Sequence, residues 1–178
     1  MQPLDGITVV ELAGGVRGPY AGKLFADFGA DVIKIEPPDG DPARHEGARP
    51  GDRPEPERSP LFAHLNTNKR SVVLDPTIES DRALFDRLVA SAQLLIDDRE
   101  VGPAAASAAW PSVAELRQRH PEIVVTSVTA FGRTGPRAGE PANDLIAYAA
   151  GGPLHATGLA DREPIKLAGR VVEYQCGA

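Results

Sequence analysis

Short apolar runs alternate along this chain with longer stretches in which apolar and polar positions mix, and the alternation predicts its elements. Ile7-Thr8-Val9-Val10-Glu11-Leu12 is apolar and β-branched, the pattern of a buried strand over 7–12. A glycine-rich turn follows, Gly14-Gly15-Val16-Arg17-Gly18. Pro19 suits the first turn of a helix, where a missing N–H costs nothing, so a helix is predicted over Tyr20–Phe28, stopped by Gly29. Asp31-Val32-Ile33-Lys34-Ile35-Glu36 is the second strand. Strand, helix and strand within about 30 residues make a βαβ unit, with parallel pairing and a right-handed crossover.

The alternation continues. A short helix is predicted over Leu61–Leu65 and a third strand at Ser71-Val72-Val73-Leu74. Leu84, Phe85, Leu88, Val89 and Ala92 form the stripe of a helix that Asp75 or Thr77 would cap. A strand over 94–97, a helix over Ser112–Arg119, a strand over Ile123–Val128 and a small-residue helix over Asp144–Ala150 follow, and Lys166-Leu167 would begin another short strand. The predicted fold class is α/β: an open, mostly parallel, Rossmann-like sheet with helices on both faces.

One segment breaks the rhythm. Of residues 37–60, seven are proline and ten are charged. So little apolar surface does not offset the entropy of ordering, which predicts a long mobile loop and the preferred site of proteolysis.

Composition narrows the function. The chain has 178 residues, 42% of them hydrophobic, so it can bury a core as one domain. Its net charge of −6 argues against a general nucleic-acid or anionic-membrane binder. No apolar stretch has the length of a membrane span, and the first residues lack the basic and apolar blocks of a signal peptide. A single cysteine, Cys176, excludes an internal disulfide framework and fits the cytoplasm. It reads as a small core filler. Four scattered histidines give no metal-binding spacing, so no metal is expected.

Four places carry candidate chemistry. Ala13-x-Gly15-x-x-Gly18 opens a helix after a strand, with Glu36 at the end of the next strand, where an acidic residue can bind a ribose hydroxyl. The first glycine of that fingerprint is alanine, however, and Pro19 follows the third, which favours a tight turn without NAD. Asn66-Thr67-Asn68-Lys69-Arg70-Ser71 offers amides and two adjacent cations to phosphates, or is a solvated basic turn. Thr129-Ala130-Phe131-Gly132-Arg133-Thr134-Gly135-Pro136 follows the fifth strand, at the end of the sheet where α/β folds bind ligands; a plain glycine-proline turn is the alternative. Glu173 lies among apolar residues in Val171-Val172-Glu173-Tyr174-Gln175, either as a desolvated, reactive carboxylate or as an ordinary glutamate near a helix start.

Taken in order, Pro3-Leu4-Asp5-Gly6, Gly18-Pro19-Tyr20-Ala21, the run from Ala26 to Pro38, Leu65–Ser71, Phe131–Pro136, Asp144-Leu145-Ile146 and Gly151-Gly152 resemble the family III CoA-transferases, the carnitine- and bile-acid-CoA-transferase family, which includes formyl-CoA transferases and α-methylacyl-CoA racemases. The resemblance covers nearly the whole chain. It implies that residues 1–178 are the N-terminal, CoA-binding part of the family's large domain, without its small domain and C-terminal return. Coenzyme A would be the substrate, with Gly15, Val16, Arg17, Asn68, Lys69, Arg70, Asp98, Arg99, Thr129 and Phe131 as its contacts.

The family's transferases move CoA from an acyl-CoA to a carboxylic acid through a covalent aspartate; counted from Pro164-Ile165-Lys166-Leu167, Glu173 takes that place. The family's Glu-Asn-Phe-Arg-Pro-Gly block is altered here to Asp97-Asp98-Arg99-Glu100-Val101-Gly102. The racemase branch carries a histidine where this chain has Asn143, which ranks racemization below transfer. A non-catalytic domain that binds CoA or pairs with another chain is the third reading. The resemblance implies an interlocked homodimer, or a partner chain that supplies the missing parts.

Overall fold

The computed structural model of the chain describes residues 1–47, 59–101 and 110–178. Its elements in order are β1 (Thr8–Leu12), α1 (Arg17–Asp27), β2 (Asp31–Glu36), a 3-10 turn (Pro42–His45), α2 (Pro60–Leu65), β3 (Arg70–Val73), α3 (Glu79–Ser91), β4 (Leu94–Asp97), α4 (Val113–Arg119), β5 (Val124–Ser127), α5 (Asp144–Ala150), a second 3-10 turn (Pro153–Ala156) and α6 (Val171–Gly177). The five strands form one sheet in the order β3-β2-β1-β4-β5, and every pairing is parallel.

Strand periodicity sorts the apolar residues onto two faces. Val9, Val32, Leu94 and Ile96 pack with Ala26 and Ala30 under α1. Val10, Leu12, Ile33, Ile35 and Leu95 point the other way, into a cluster with Phe85 and Val89 of α3 and Leu116 of α4. Helices therefore cover both faces. Because β1 and β4 are interior, both of their faces are buried, and apart from the buried carboxylates of Glu11 and Asp97 they read as apolar runs rather than alternations.

Several boundaries differ from the sequence expectations. Helix α1 begins at Arg17, before Pro19, with Val16 at its N-cap. Helix α3 begins at Glu79, and its N-cap is Ile78, without a side-chain cap. Asp75 and Thr77 are used earlier: the Asp75 carboxylate accepts from the Thr77 N–H at 2.8 Å and from its hydroxyl at 2.7 Å, closing an Asx turn around Pro76. Ser112 does cap α4, in a full capping box with Glu115. Lys166 and Leu167 form no strand; Lys166 Nζ instead binds the carbonyl oxygens of Leu167 and Gly169 and crosslinks its own loop.

The expected loop over 37–60 is only partly within the described residues, since 48–58 lie outside them. Its described beginning is folded against the body. Pro42–His45 is a 3-10 turn capped by Asp41, and Ala43 is fully buried with Val16 and Leu65. Among the described residues, no helix is long and apolar enough to cross a membrane.

Candidate active site

Strand order reverses direction between β1 and β4, so the carboxyl ends of these two strands flank the crevice where open α/β sheets bind ligands. The turn leaving β1 is held there by the chain's own carboxylates. The Gly14 N–H donates to both oxygens of Asp98 at 3.2 Å, and the Gly15 N–H donates to Asp41 Oδ1 at 3.0 Å. Gly18 permits the close approach of α1: a Cβ on it would lie 2.3 Å from Ala13 Cβ and 3.0 Å from Asp98 Oδ2. Asp98 is buried, and burial pushes its carboxyl up to about 7 against the pull of Arg17, the Gly14 N–H and Lys34.

The other half of the dinucleotide pattern is also occupied. Glu36 accepts from Arg44 Nε at 2.7 Å, from Arg44 Nη2 at 2.9 Å, from the Asp41 N–H at 3.2 Å and from the Ser71 hydroxyl. Burial raises its carboxyl, but these donors together outweigh that and hold it at about 2. Glu36 is thus a buried structural anion.

Beneath the turn lies a buried ion network. Lys34 Nζ meets Glu11 Oε1 at 2.9 Å, Asp41 Oδ2 at 2.6 Å and the Ala13 carbonyl at 2.8 Å. Lys69 Nζ meets Glu11 Oε2 at 2.7 Å, the Pro19 carbonyl at 2.7 Å and Asn66 Oδ1 at 2.9 Å. Burial lowers Lys69 to about 8, with Glu11 opposing it. Of the basic run, then, Lys69 points inward. Asn68, at φ 66°, reaches Asp27 at 2.9 Å, and Arg70 pairs with Asp31 at the surface, Nε to Oδ1 at 2.9 Å. The three residues are not brought to a common point.

Asp97 organises the next segment. Its fully buried carboxylate takes Arg99 Nη2 at 2.9 Å and Arg133 Nη2 at 2.8 Å, while Arg133 Nε donates to Ser127 Oγ at 2.7 Å. Arg133 thereby fastens the turn after β5 to the end of β4. In the same turn, the Arg137 guanidinium stacks 3.9 Å over the Phe131 ring.

Helix α6 reaches the crevice by packing on the start of α1. A Cβ on Gly177 would lie 2.3 Å from the Arg17 carbonyl oxygen, and the Tyr20 and Tyr174 rings meet edge-on at 4.9 Å. This contact places Glu173, in the first turn of α6, in a cleft of about 60 Å³ with Arg17, Thr129, Asn143 and Asp144. Burial lowers the Arg17 guanidinium, but its hydrogen bond to Glu100 at 3.0 Å and the charges of Asp98, Glu100 and Glu173 together hold it above the usual value. Asp144 accepts from the Glu173 N–H at 3.3 Å and from Lys166 Nζ at 2.6 Å, tying α5 to α6. Thr129 Oγ1 is buried in this cleft without a hydrogen-bond partner. Cys176 is exposed rather than a core filler; the residue that α6 buries there is its neighbour Gly177.

Arg17, Thr129 and Glu173 are therefore brought together. Asp98 and Arg99 line a second cavity of about 300 Å³, with Gly14, Ile35, Pro37 and Trp110. Gly15 lies at the turn itself, and Val16 is packed in the core with Ala43 and Leu65. Asp41, Asp144 and Arg170 join the site without being candidates in the sequence. Asp144 had a visible signal, at the first position of a predicted helix after Asn143. Asp41 had none, because it lies in the Pro-rich segment.

The sequence profile of CoA-transferase family III matches residues 4–178. An acetyl-CoA:oxalate CoA-transferase from Acetobacter aceti is 35% identical over 176 residues, covering 98% of this chain and 43% of that protein. A succinyl-CoA:mesaconate CoA-transferase from Haloarcula hispanica is 36% identical over 171 residues, 94% of this chain and 43% of that protein. The crystal structure of a CAIB/BAIF family protein from Brucella suis superposes with a TM-score of 0.83 at 36% identity, covering 97% of this chain and 45% of that one. The chain thus spans less than half the length of these relatives.

Proposed function

Since the chain belongs to CoA-transferase family III, we propose that its protein moves coenzyme A from an acyl-CoA to a carboxylic acid, with Glu173 as the nucleophile. The observation that carries this reading is the placement of Glu173 in a cleft with Arg17 and Thr129, at the carboxyl edge of the sheet. The names of the relatives, transferases between acyl-CoA and dicarboxylates, support the reaction class.

In this reading the Glu173 carboxylate attacks the thioester carbon, the C–S bond breaks, and the CoA thiolate leaves a mixed anhydride. The thiolate then attacks the Glu173 carbonyl, releasing the first carboxylate and leaving a glutamyl-CoA thioester. An incoming carboxylate attacks that thioester and displaces the thiolate, which attacks the acyl carbon of the new anhydride. The products are the new acyl-CoA and a free Glu173 carboxylate. The chain's residues assist by charge and position. Arg17 offers a cation beside the developing charges, and Thr129 Oγ1 an unspent hydroxyl. Gly15, Val16, Arg17, Asn68, Lys69, Arg70, Asp98, Arg99, Thr129 and Phe131 remain the proposed CoA contacts, with Lys69 acting from beneath the turn.

The transfer belongs to a protein in which this chain is joined to the remainder that the relatives possess, in the same polypeptide, in a second copy of an interlocked homodimer or in a partner chain. The cytoplasm is its proposed compartment. A non-catalytic CoA-binding or pairing domain is the second reading, favoured by one observation: Asp98 and Asp41 already satisfy the Gly14 and Gly15 N–H groups. Racemization ranks below both, because Asn143 serves as the N-cap of α5, its Oδ1 accepting from the Ile146 N–H at 3.0 Å.

The test is hydroxylamine trapping during turnover of the assembled protein, with mass analysis of the peptide that holds Glu173. An adduct there, lost in Glu173→Gln together with transfer but not with CoA binding, supports the nucleophile. Full activity of Glu173→Gln would overturn it.

A further inference from the structure

The Glu173 carboxylate does not stand alone in its cleft. Arg170, at the N-cap of α6, donates from Nη1 to Glu173 Oε2 at 3.1 Å. Its other terminal nitrogen, Nη2, pairs with Glu46, which follows the Pro42–His45 turn. One guanidinium thus spans two carboxylates separated by more than a hundred residues of chain. Glu173 is the more buried of the two, with its side chain 22% exposed against 36% for Glu46.

The geometry points to Arg170 as the positioning residue of Glu173, with Glu46 as the anchor that keeps the guanidinium in place. The inference rests on the reading of Glu173 as the reactive carboxylate and adds to it the group that sets its direction. A free glutamate side chain turns about three bonds, and one fixed guanidinium nitrogen on Oε2 removes most of that freedom. It also leaves Oε1 as the oxygen free to approach a carbonyl. Glu46 matters because a transferase nucleophile changes charge. While Glu173 is anionic, Arg170 has two anionic partners. Once Glu173 is acylated it is neutral, and Glu46 alone holds the cation beside the site until the carboxylate returns. The same bridge ties α6 to the 3-10 turn whose Asp41 carboxylate binds the Gly15 N–H, so the two sides of the crevice share one mechanical link.

The experiment is carboxyl footprinting of the full chain with a water-soluble carbodiimide and glycine ethyl ester, read residue by residue by mass spectrometry. Asp161 and Glu163, both exposed, serve as internal references. Arg170→Ala is expected to speed labelling of Glu173 by about fivefold, the factor that a partly exposed ion pair supports, with the references unchanged. Arg170→Lys restores most of the protection, because an ammonium still reaches one carboxylate. Glu46→Gln gives a smaller rise at Glu173, since it frees the guanidinium without removing it.

Unchanged labelling of Glu173 in a natively folded Arg170→Ala chain overturns the assignment. If Arg170→Ala does not fold, Glu46→Gln decides, and no rise at Glu173 in that variant overturns it equally. The footprint needs no turnover, so it is separable from the nucleophile reading. A protected Glu173 that forms no hydroxylamine adduct would sink the nucleophile and leave the clamp.

Discussion

The Asp98 carboxylate lies 3.2 Å from the Gly14 N–H, across 84 residues of chain, and so a side chain from the end of β4 closes the turn that leaves β1. A carboxylate here does what a bound phosphate does in nucleotide-binding folds: it accepts from the backbone where a helix begins. It is also buried, and burial pushes its carboxyl up to about 7.

The raised carboxyl sets a pH dependence. Unfolded, Asp98 gives up its proton near 3.8; folded, near 7. Between those values the folded state binds more protons, so the contribution of Asp98 is full below pH 3.8 and is lost as the pH rises through 7. Asp98→Asn keeps an acceptor for Gly14 and removes the titration. Its stability above pH 7 is expected to exceed that of the parent by on the order of 2 kcal/mol. Urea unfolding at pH 5 and pH 8 checks this; a difference from the parent that is the same at both values would refute it.

Glu36 behaves in the opposite sense. Its carboxyl sits at about 2 in the folded chain against 4.5 for the ordinary group. The stability it contributes is present above pH 4.5 and is lost as the pH falls through 2, an amount on the order of 3 kcal/mol. Glu36→Gln is expected to be less stable than the parent at pH 7 and to converge with it near pH 2, in thermal melts across that range.

Lys34 neutralises Glu11 and Asp41 at the same time. Lys34→Met leaves two buried carboxylates beside one cation, Lys69, and is expected to cost about 3–5 kcal/mol. Replacing Glu11, Lys34 and Lys69 together by apolar residues of similar volume, with Asp41→Asn keeping an acceptor for the Gly15 and Ala43 N–H groups, is expected to recover much of that loss. Denaturant midpoints of the two variants separate a cost of unpaired charge from a cost of lost packing.

Gly177→Ala drives a methyl into the Arg17 carbonyl and displaces α6 from α1. The expected result is local: faster amide hydrogen exchange over 171–177, with the β1 and β4 amides unchanged. Protection retained across α6 would show that the contact with α1 is not what holds it.

Much of this fold was legible in the chain. The apolar positions of 8–12 and 31–36, Val9, Val10, Val32, Ile33 and Ile35, marked two strands that pair in parallel, while the buried charges between them, Glu11, Lys34 and Glu36, depend on partners that no local pattern shows. The Ala13-Gly15-Gly18 spacing correctly marked a tight strand-to-helix turn, and the steric need at Gly18 is what a third glycine signals. The start of α3 was not legible, since Asp75 as a cap and Asp75 as an Asx turn have the same sequence appearance. The inward turn of Lys69 was not legible either. Whether a lysine in a basic run faces solvent depends on a partner elsewhere, here Glu11 at 2.7 Å. Glu173 was visible as a carboxylate among apolar residues, but its bridge to Glu46 joins segments that no local pattern relates.

The two carboxylates on the glycine turn also bear on the order in which the chain acquires its structure. The pairing of β1 with β2 closes a short loop, and α1 between them is local. The turn itself is finished only when Asp41 arrives from 26 residues away and Asp98 from 84. The Asp41 contact closes a span like that of the βαβ unit, whereas the Asp98 contact waits on β4, whose pairing with β1 is far more distant in sequence and so slower to form. The crevice is therefore completed only once β4 has docked. A chain stalled before β4 joins the sheet would have its first βαβ unit but no binding edge, and the Gly14 N–H would lack its Asp98 partner at that stage.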